Sequence, residues 1–381
     1  MLGSILIFLL VLSLLILIHE FGHFIVAIKF GIPVLEFGFG LPPRIIGKKI
    51  GNTVFSINAI PFGGFVRLFG ENDEEERHVF TGLGKRGVAE GELPKSKYFI
   101  NKPKRVRALV TIAGVVMNFI LAIVAFGIVY SFAGIPRNTG KLEVVDVAAG
   151  SPAQSAGVVV GDVITKVEKD SVTKVDDFIS LVNTKKGKRV SIEVQRNETT
   201  LKLSMVPREA PPEGEGPLGV TITTTEIYFP PFWQRPFYGI YYGFKEALFW
   251  GQTIVVGLWT IIVQAFNGKV PQGIAGPVGI FAVTTEAARS GVMTLINFIG
   301  VLSLNLAILN ILPFPALDGG RLLFIGIESI VGRKVLPRVE ATIHSIGMVI
   351  LLALLLAVTV GDIKRVILNG GIDGFIESFV R

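Results

Sequence analysis

Three ionisable side chains fall within five residues at the end of an aliphatic run, in the order His19-Glu20-Phe21-Gly22-His23. Residues four apart on a helix share a face about one turn from each other, so both imidazoles can reach one ion. Zinc accepts such nitrogens at about 2.0–2.1 Å. Glu20 lies beside His19 and off the line of the two rings, where it can meet a water held by the ion. The pattern is that of metal-assisted hydrolysis with the glutamate as general base. A short motif also arises by chance on soluble helices, as ordinary surface residues. The setting argues against that here, because each ionisable group inside a membrane segment costs roughly 3 kcal/mol. Packing does not explain three of them so close together.

A catalytic zinc usually takes three protein ligands and leaves one position open. The 381 residues contain no cysteine and four histidines, so thiolate sites and disulfide frameworks are excluded. His78 stands in a polar loop. His344 lies in the last apolar block near Ser345 and Gly347, where a helix-packing or interfacial role suits it better. Asp318 is the better third ligand. It closes the segment Asn310-Ile311-Leu312-Pro313-Phe314-Pro315-Ala316-Leu317-Asp318 and precedes Gly319-Gly320. That acidic residue ends an apolar helix, and the prolines and glycines break the chain where a ligand could turn inward. On local spacing alone, a helix-capping aspartate before a glycine turn fits equally.

The elements that must carry these residues are apolar. Half of the chain is hydrophobic and the mean hydropathy is +0.60. The apolar residues are bunched over 2–18, 108–132, 292–312 and 343–360, each about long enough to cross a hydrocarbon core of roughly 30 Å as a helix. The first block has no basic start and no small-x-small cleavage site, so it reads as a retained helix rather than a signal peptide. The net charge is +7. Arg44, Lys48, Lys49, Arg67, Lys85, Arg86, Lys95, Lys97, Lys102, Lys104, Arg105 and Arg107 all lie between the first two blocks. This predicts a cytoplasmic loop, with Met1 outside and the His19 end of the first helix near the cytoplasmic face. Arg321, Arg333, Lys334 and Arg338 put the chain after Asp318 on the same side. No basic, aromatic-interleaved soluble domain is present, so a nucleic-acid partner is not expected; membrane lipid is.

Between the apolar blocks the pattern changes. Short alternating runs at 53–57 and 65–68, punctuated by Phe37-Gly38-Phe39-Gly40, Pro42-Pro43 and Gly63-Gly64, predict a β-hairpin lying against the membrane. Residues 138–224 read as a soluble domain of short strands that looks like a PDZ domain with a permuted strand order. Its Gly216-Pro217-Leu218-Gly219-Val220 is similar to the loop with which such domains hold a peptide's terminal carboxylate; a steric cap is the other reading. Residues 237–266 are apolar enough to span. Asp318, however, can share a leaflet with His19 only if 292–312 runs inward, so an interfacial or re-entrant pair of helices is expected there. The predicted fold class is a polytopic α-helical membrane protein with about four transmembrane helices, a membrane-associated β-hairpin region and one inserted PDZ-like α+β domain. The expected order is a first helix over 1–30, hairpin and loop over 31–107, a second helix over 108–134, and the PDZ-like domain over 138–224. An amphipathic or re-entrant region over 230–290 follows, then a third helix with its Asn/Asp-Gly motif over 291–330, a fourth over 339–361, and a tail over 362–381.

The combination resembles the site-2 protease family of intramembrane metalloproteases, in its bacterial single-PDZ form. The likeness rests on H-E-x-x-H in the first membrane helix, Gly-Gly-Phe-Val-Arg-Leu-Phe-Gly-Glu at 63–71 and the PDZ-like insertion. Gly276-Pro277-Val278-Gly279-Ile280 and Asn-x-x-Pro-x-Pro-x-Leu-Asp-Gly-Gly at 310–320 complete it. The resemblance implies His19, His23 and Asp318 as ligands of Zn²⁺, and Glu20 as base and proton shuttle. It implies that Asn310 holds the substrate backbone or stabilises the oxyanion. The hairpin at 34–70, with Gly63, Gly64 and Phe65, would pair as an edge strand with an unwound substrate. It further implies an inner (plasma) membrane enzyme whose active site is near the cytoplasmic face and whose PDZ-like domain is extracytoplasmic. Its substrates would be single-pass membrane proteins of the anti-sigma-factor or remnant-signal-peptide type. One departure is visible. The family often has Gly-Pro before the Asn of its second helix, where this chain reads Gly114-Val115-Val116-Met117-Asn118, a change expected to touch no catalytic role. A PDZ scaffold with an idle metal site is the alternative, and the intact His19, Glu20, His23 and Asp318 speak against it. A transporter would call for internal repeats and midplane charges, which the sequence lacks.

Overall fold

The computed structural model describes residues 2–71, 97–212, 214–268, 275–371 and 374–375. Residue 78 and most of the basic loop before the second helix therefore lie outside the described residues. The chain divides into two compact units, Met1–Phe132 with Pro236–Arg381, and Ala133–Arg235.

In the first unit, α1 (Leu2–Lys29) is apolar around its whole circumference and lacks internal proline, as befits a helix surrounded by lipid. It stops in a Schellman turn at Gly31, where the Gly31 and Ile32 N–H groups donate to the Ile28 and Ala27 carbonyls at 2.9 Å each, and Pro33 prevents continuation. The antiparallel strands β1 (Val34–Ile50) and β2 (Thr53–Leu68) follow. The predicted hairpin is present, but its strands are long and bent. Phe37 lies opposite both Val66 and Phe55, and Phe39 opposite both Gly64 and Ile57. The first half of β1 is thus flanked on two sides, and 64–68 forms an outer segment of the sheet.

The remaining helices of this unit are α2 (Lys104–Ala133) and, after the inserted unit, five more whose labels follow its own two short helices. Those two are α3 (Pro152–Ser155) and α4 (Val175–Asn183). Then come α5 (Arg235–Phe266), α6 (Pro277–Arg289), α7 (Val292–Ile311), α8 (Asp318–Val331) and α9 (Pro337–Leu368). Among the described residues five helices are long and apolar enough to cross a membrane: Leu2–Lys29, Lys104–Ala133, Phe232–Phe266, Val292–Ile311 and Val339–Leu368. The third of these corrects the expected pair of helices at 237–266, since α5 is a single unbroken helix of 32 residues. Nothing inside it after Pro236 breaks a helix. A stripe of small residues, Gly239, Gly243 and Ala247, is buried along it, and a Cβ on Gly243 would stand 2.5 Å from the Ile123 carbonyl of α2. Two backbones this close pack well only through small side chains. The pair of helices was inferred from topology, whereas the local sequence favours one helix.

The second unit, wider than the predicted 138–224, holds β3 (Ile135–Val147), β4 (Val163–Val167), β5 (Asp170–Ser171), β6 (Val190–Arg196), β7 (Thr199–Met205) and β8 (Val220–Tyr228). The strand order is β7-β6-β4-β3-β8, with β5 on β4. Alternating residues such as Leu142, Val144, Ile164, Val190 and Val194 fill one core with Leu218 and with Phe178 and Val182 from α4; the last two are four apart and so share a helical face. Asp162 is fully buried there. It accepts hydrogen bonds at 2.7 and 2.8 Å from the Arg196 guanidinium, which hold its carboxyl below the usual range. The 216–219 turn leads directly into β8, an outermost strand of the sheet. Its Leu218 and Gly219 carbonyls accept from the Ala153 and Ala148 N–H groups.

Candidate metal centre

His19 and His23 are both buried on one face of α1, as their spacing requires. Asp318 meets them from the other end of the chain. His19 Nε2 lies 2.9 Å and His23 Nε2 3.2 Å from Asp318 Oδ2, and the two Nε2 atoms are 3.1 Å apart. Three donors each about 2.05 Å from a tetrahedral ion stand about 3.3 Å from one another. Two imidazole nitrogens and a carboxylate oxygen in this triangle therefore fit zinc. Among the described residues this is the one group of three or more His, Asp or Glu residues close enough to hold a metal.

Asp318 does not end the apolar helix, as its neighbouring prolines suggested. α7 stops at Ile311, and Asp318 is the first residue of α8, where a carboxylate suits the positive end of the helix dipole. Pro313 and Pro315 prevent α7 from continuing, and the chain then folds back on its end. A Cβ on Gly319 would sit 1.9 Å from the Leu312 carbonyl oxygen, so that position tolerates only glycine. Ala316 adopts a left-handed φ of 79°, uncommon for a residue with a side chain. Its N–H donates to His344 Nδ1 at 2.9 Å. His344 thus stays off the metal and ties α9 to the turn that delivers the ligand.

Glu20 is not part of the triangle. Its Oε2 accepts the Val66 N–H of β2 at 3.0 Å, which brings the outer strand segment beside α1. Gly63 and Gly64 face the same helix, and a Cβ on them would stand 3.2 Å from Ile16 and 2.9 Å from Leu17 respectively. Phe65 follows, opposite Gly38. Asn310 is the second-last residue of α7 and is half-buried.

The sequence reading missed the contribution of α2. His23 Nδ1 donates to the Val110 carbonyl at 2.8 Å. The Asn118 amide lies 3.3 Å from His19 Nδ1. Between them, a Cβ on Gly114 would stand 2.5 Å from His23 Nε2 and 2.7 Å from His19 Nε2. Gly114 and Asn118, which flank the departure at Val115, therefore line the centre. The available signal was Gly-x-x-x-Asn at one-turn spacing, with a polar amide in an otherwise apolar block. Farther from the triangle, Arg107 pairs with Glu328 and Arg321 with Glu71, linking α8 to α2 and to the end of the sheet.

Comparison with known proteins identifies the family. Residues 7–354 match the model of Peptidase family M50. A Clostridium perfringens relative is 34% identical over 93% of this chain and 97% of its own. The zinc metalloprotease RasP of Oceanobacillus iheyensis is 30% identical over 95% of this chain and 99% of its own. Among solved structures, the PDZ domain of the SdrC-like protein from Listeria monocytogenes is 22% identical, with a TM-score of 0.20, over 22% of this chain and 86% of that one. On the near-complete match of its sequence, this chain belongs to Peptidase family M50.

Proposed function

We propose that the chain is a zinc-dependent metalloendopeptidase of the inner (plasma) membrane that hydrolyses peptide bonds of single-pass membrane proteins. The observation that carries this reading is the meeting of His19, His23 and Asp318 in a bundle of apolar helices. Zinc, when bound to these three side chains, supplies Lewis acidity, polarising a peptide carbonyl and making water acidic near neutral pH.

The protein's own groups do the rest. Glu20 takes the proton of the attacking water on its carboxylate and delivers it to the amide nitrogen as the peptide bond breaks. The Asn310 side-chain N–H donates to the oxygen on which negative charge develops. A helical peptide bond is closed within its own hydrogen-bond ladder, so the substrate must unwind. The outer segment of β2 at Gly63, Gly64 and Phe65 offers it a strand to pair with. Because β2 already donates Val66 N–H to Glu20, a strand bound there lies next to the base.

The same contacts support an orientation. With Asp318 beside His19, this reading has the carboxyl ends of α1 and α7 at one depth and the two helices running in the same direction. In this reading α5 and α6 together return the chain to the side where α5 began, without a net crossing. The basic residues after α1 and around α8 favour a cytoplasmic catalytic end, with the 133–235 unit read as a PDZ-like module on the outside. Anti-sigma factors and remnant signal peptides are the substrate types the reading favours, and a peptide carboxyl terminus is the ligand for the PDZ-like unit.

The test uses purified protein, a model transmembrane substrate and zinc analysis on the same samples. Glu20→Gln is expected to keep zinc and to lose cleavage by about 10²–10⁴-fold. Equal cleavage by both proteins would overturn the assigned base. An intact chain that neither binds zinc nor cuts would favour the scaffold reading.

A further inference from the structure

A stripe on α2 takes no part in the chemistry assigned above, yet it touches both imidazoles. Val110, Gly114 and Asn118 are spaced four apart and so share one helical face. An imidazole that offers Nε2 to a cation keeps its proton on Nδ1, and the partner of Nδ1 decides whether it does. For His23 the partner is the Val110 carbonyl. A carbonyl can only accept, so His23 is held with Nε2 free. His19 has no carbonyl there. Its Nδ1 faces the side chain of Asn118, an amide that can present either a donor or an acceptor by turning through a half-circle.

The need for a free Nε2 at the ion decides which it presents. Asn118 is fully buried. With Nδ2 toward the ring, its Oδ1 is sealed from solvent and meets no donor. That orientation also makes Nδ1 the acceptor, leaving the proton on Nε2, the atom that points at Asp318. Turned the other way, Oδ1 accepts from Nδ1–H and the Nε2 lone pair is released toward the triangle. The backbone is already steadied for this, since Ser303 Oγ of α7 donates to the Asn118 carbonyl at 2.7 Å.

We infer that Asn118 is the positioning residue that sets the tautomer and direction of His19, its amide oxygen accepting the Nδ1 proton so that Nε2 can take zinc. Gly114 leaves the space in which the two Nε2 atoms converge. A long apolar helix that carries no ligand thereby supplies both outer partners of the histidines. This inference rests on the zinc reading of the site and adds a residue to it.

The experiment measures zinc affinity of the full chain in detergent by competition with a chelator, without reference to cleavage. Asn118→Leu keeps the volume but offers no acceptor, and is expected to weaken zinc binding 10–100-fold. Asn118→Asp keeps an acceptor and is expected to stay within a few-fold of the parent. Val116→Ala, on the exposed side of the same helix, leaves both Nδ1 partners in place and is expected to leave affinity unchanged. If Asn118→Leu does not fold, selective ¹⁵N labelling of the histidines in the parent decides: zinc-loaded protein should carry the His19 proton on Nδ1, with His19→Asn used to assign the signal. Parent-like affinity in Asn118→Leu, or an unprotonated Nδ1 in loaded parent protein, would overturn the inference while leaving the zinc site standing. A parent chain that does not bind zinc would instead sink the reading beneath it.

Discussion

The helix that carries His19 and His23 and the segment that carries Asp318 reach the same point by opposite means. α1 does so by regularity. Four residues make about one helical turn, so two ligands share a face as soon as the helix forms, and lipid favours the helix because every backbone group is satisfied internally. The 312–320 segment does so by irregularity. It needs two prolines to stop α7, a left-handed Ala316 held by His344, and a glycine at 319 that lets the backbone fold onto the end of α7. Regular structure places ligands through local energetics. The turn places its ligand only because neighbouring helices hold it.

That contrast can be broken experimentally. The largest effects come from removing a ligand on either side: His23→Ala and Asp318→Ala should each lose zinc and proteolysis together. The loss of affinity should exceed the roughly 10–100-fold expected of an outer-shell residue, as read by metal analysis. Next, Gly319→Ala should destabilise the chain by about 1–3 kcal/mol through overpacking and displace Asp318. Ile25→Ala, on the exposed side of α1, should leave zinc binding unchanged. A Gly319→Ala protein with parent affinity would mean that the turn yields easily.

Smaller in its effect on the centre, His344→Leu leaves the Ala316 N–H without its acceptor, at a cost to stability of about 1–3 kcal/mol. His344→Gln should restore most of the loss, and thermal unfolding of the two variants separates a hydrogen-bond role from a packing role. The smallest effect on the centre is expected from Asp162, which belongs to neither segment. Its folded pKa lies below the unfolded value because Arg196 binds the charged form. Its contribution to the 133–235 unit is therefore complete above a pH of about 4 and is lost as the pH falls through the folded pKa. Asp162→Asn should abolish that acid-side dependence in the unfolding of the unit and leave zinc affinity alone.

Much of this was legible beforehand, and particular residues explain what was not. The apolar blocks marked four of the five long helices because hydrophobic length is a local property, and His19-Glu20-x-x-His23 needed nothing beyond helical spacing. The alternation around Phe37 and Phe65 announced strands. It could not announce that β1 would be flanked on both sides, since strand pairing joins distant residues. The expectation of two short helices at 237–266 came from reasoning about topology and overrode a local sequence with no breaker. Gly114 and Asn118 were given no role at the centre because their partners lie on another helix.

By itself the sequence determined which segments are apolar enough for the membrane, which pair of imidazoles shares a face, and which side-chain types could complete a metal site. These depend on composition and on the fixed pitch of a helix. Tertiary structure alone decided that Asp318, 299 residues from His19, opens α8 rather than closing α7, and that α2 supplies the outer partners of both histidines. Such contacts join residues far apart in the chain, and their geometry is set only when whole helices pack.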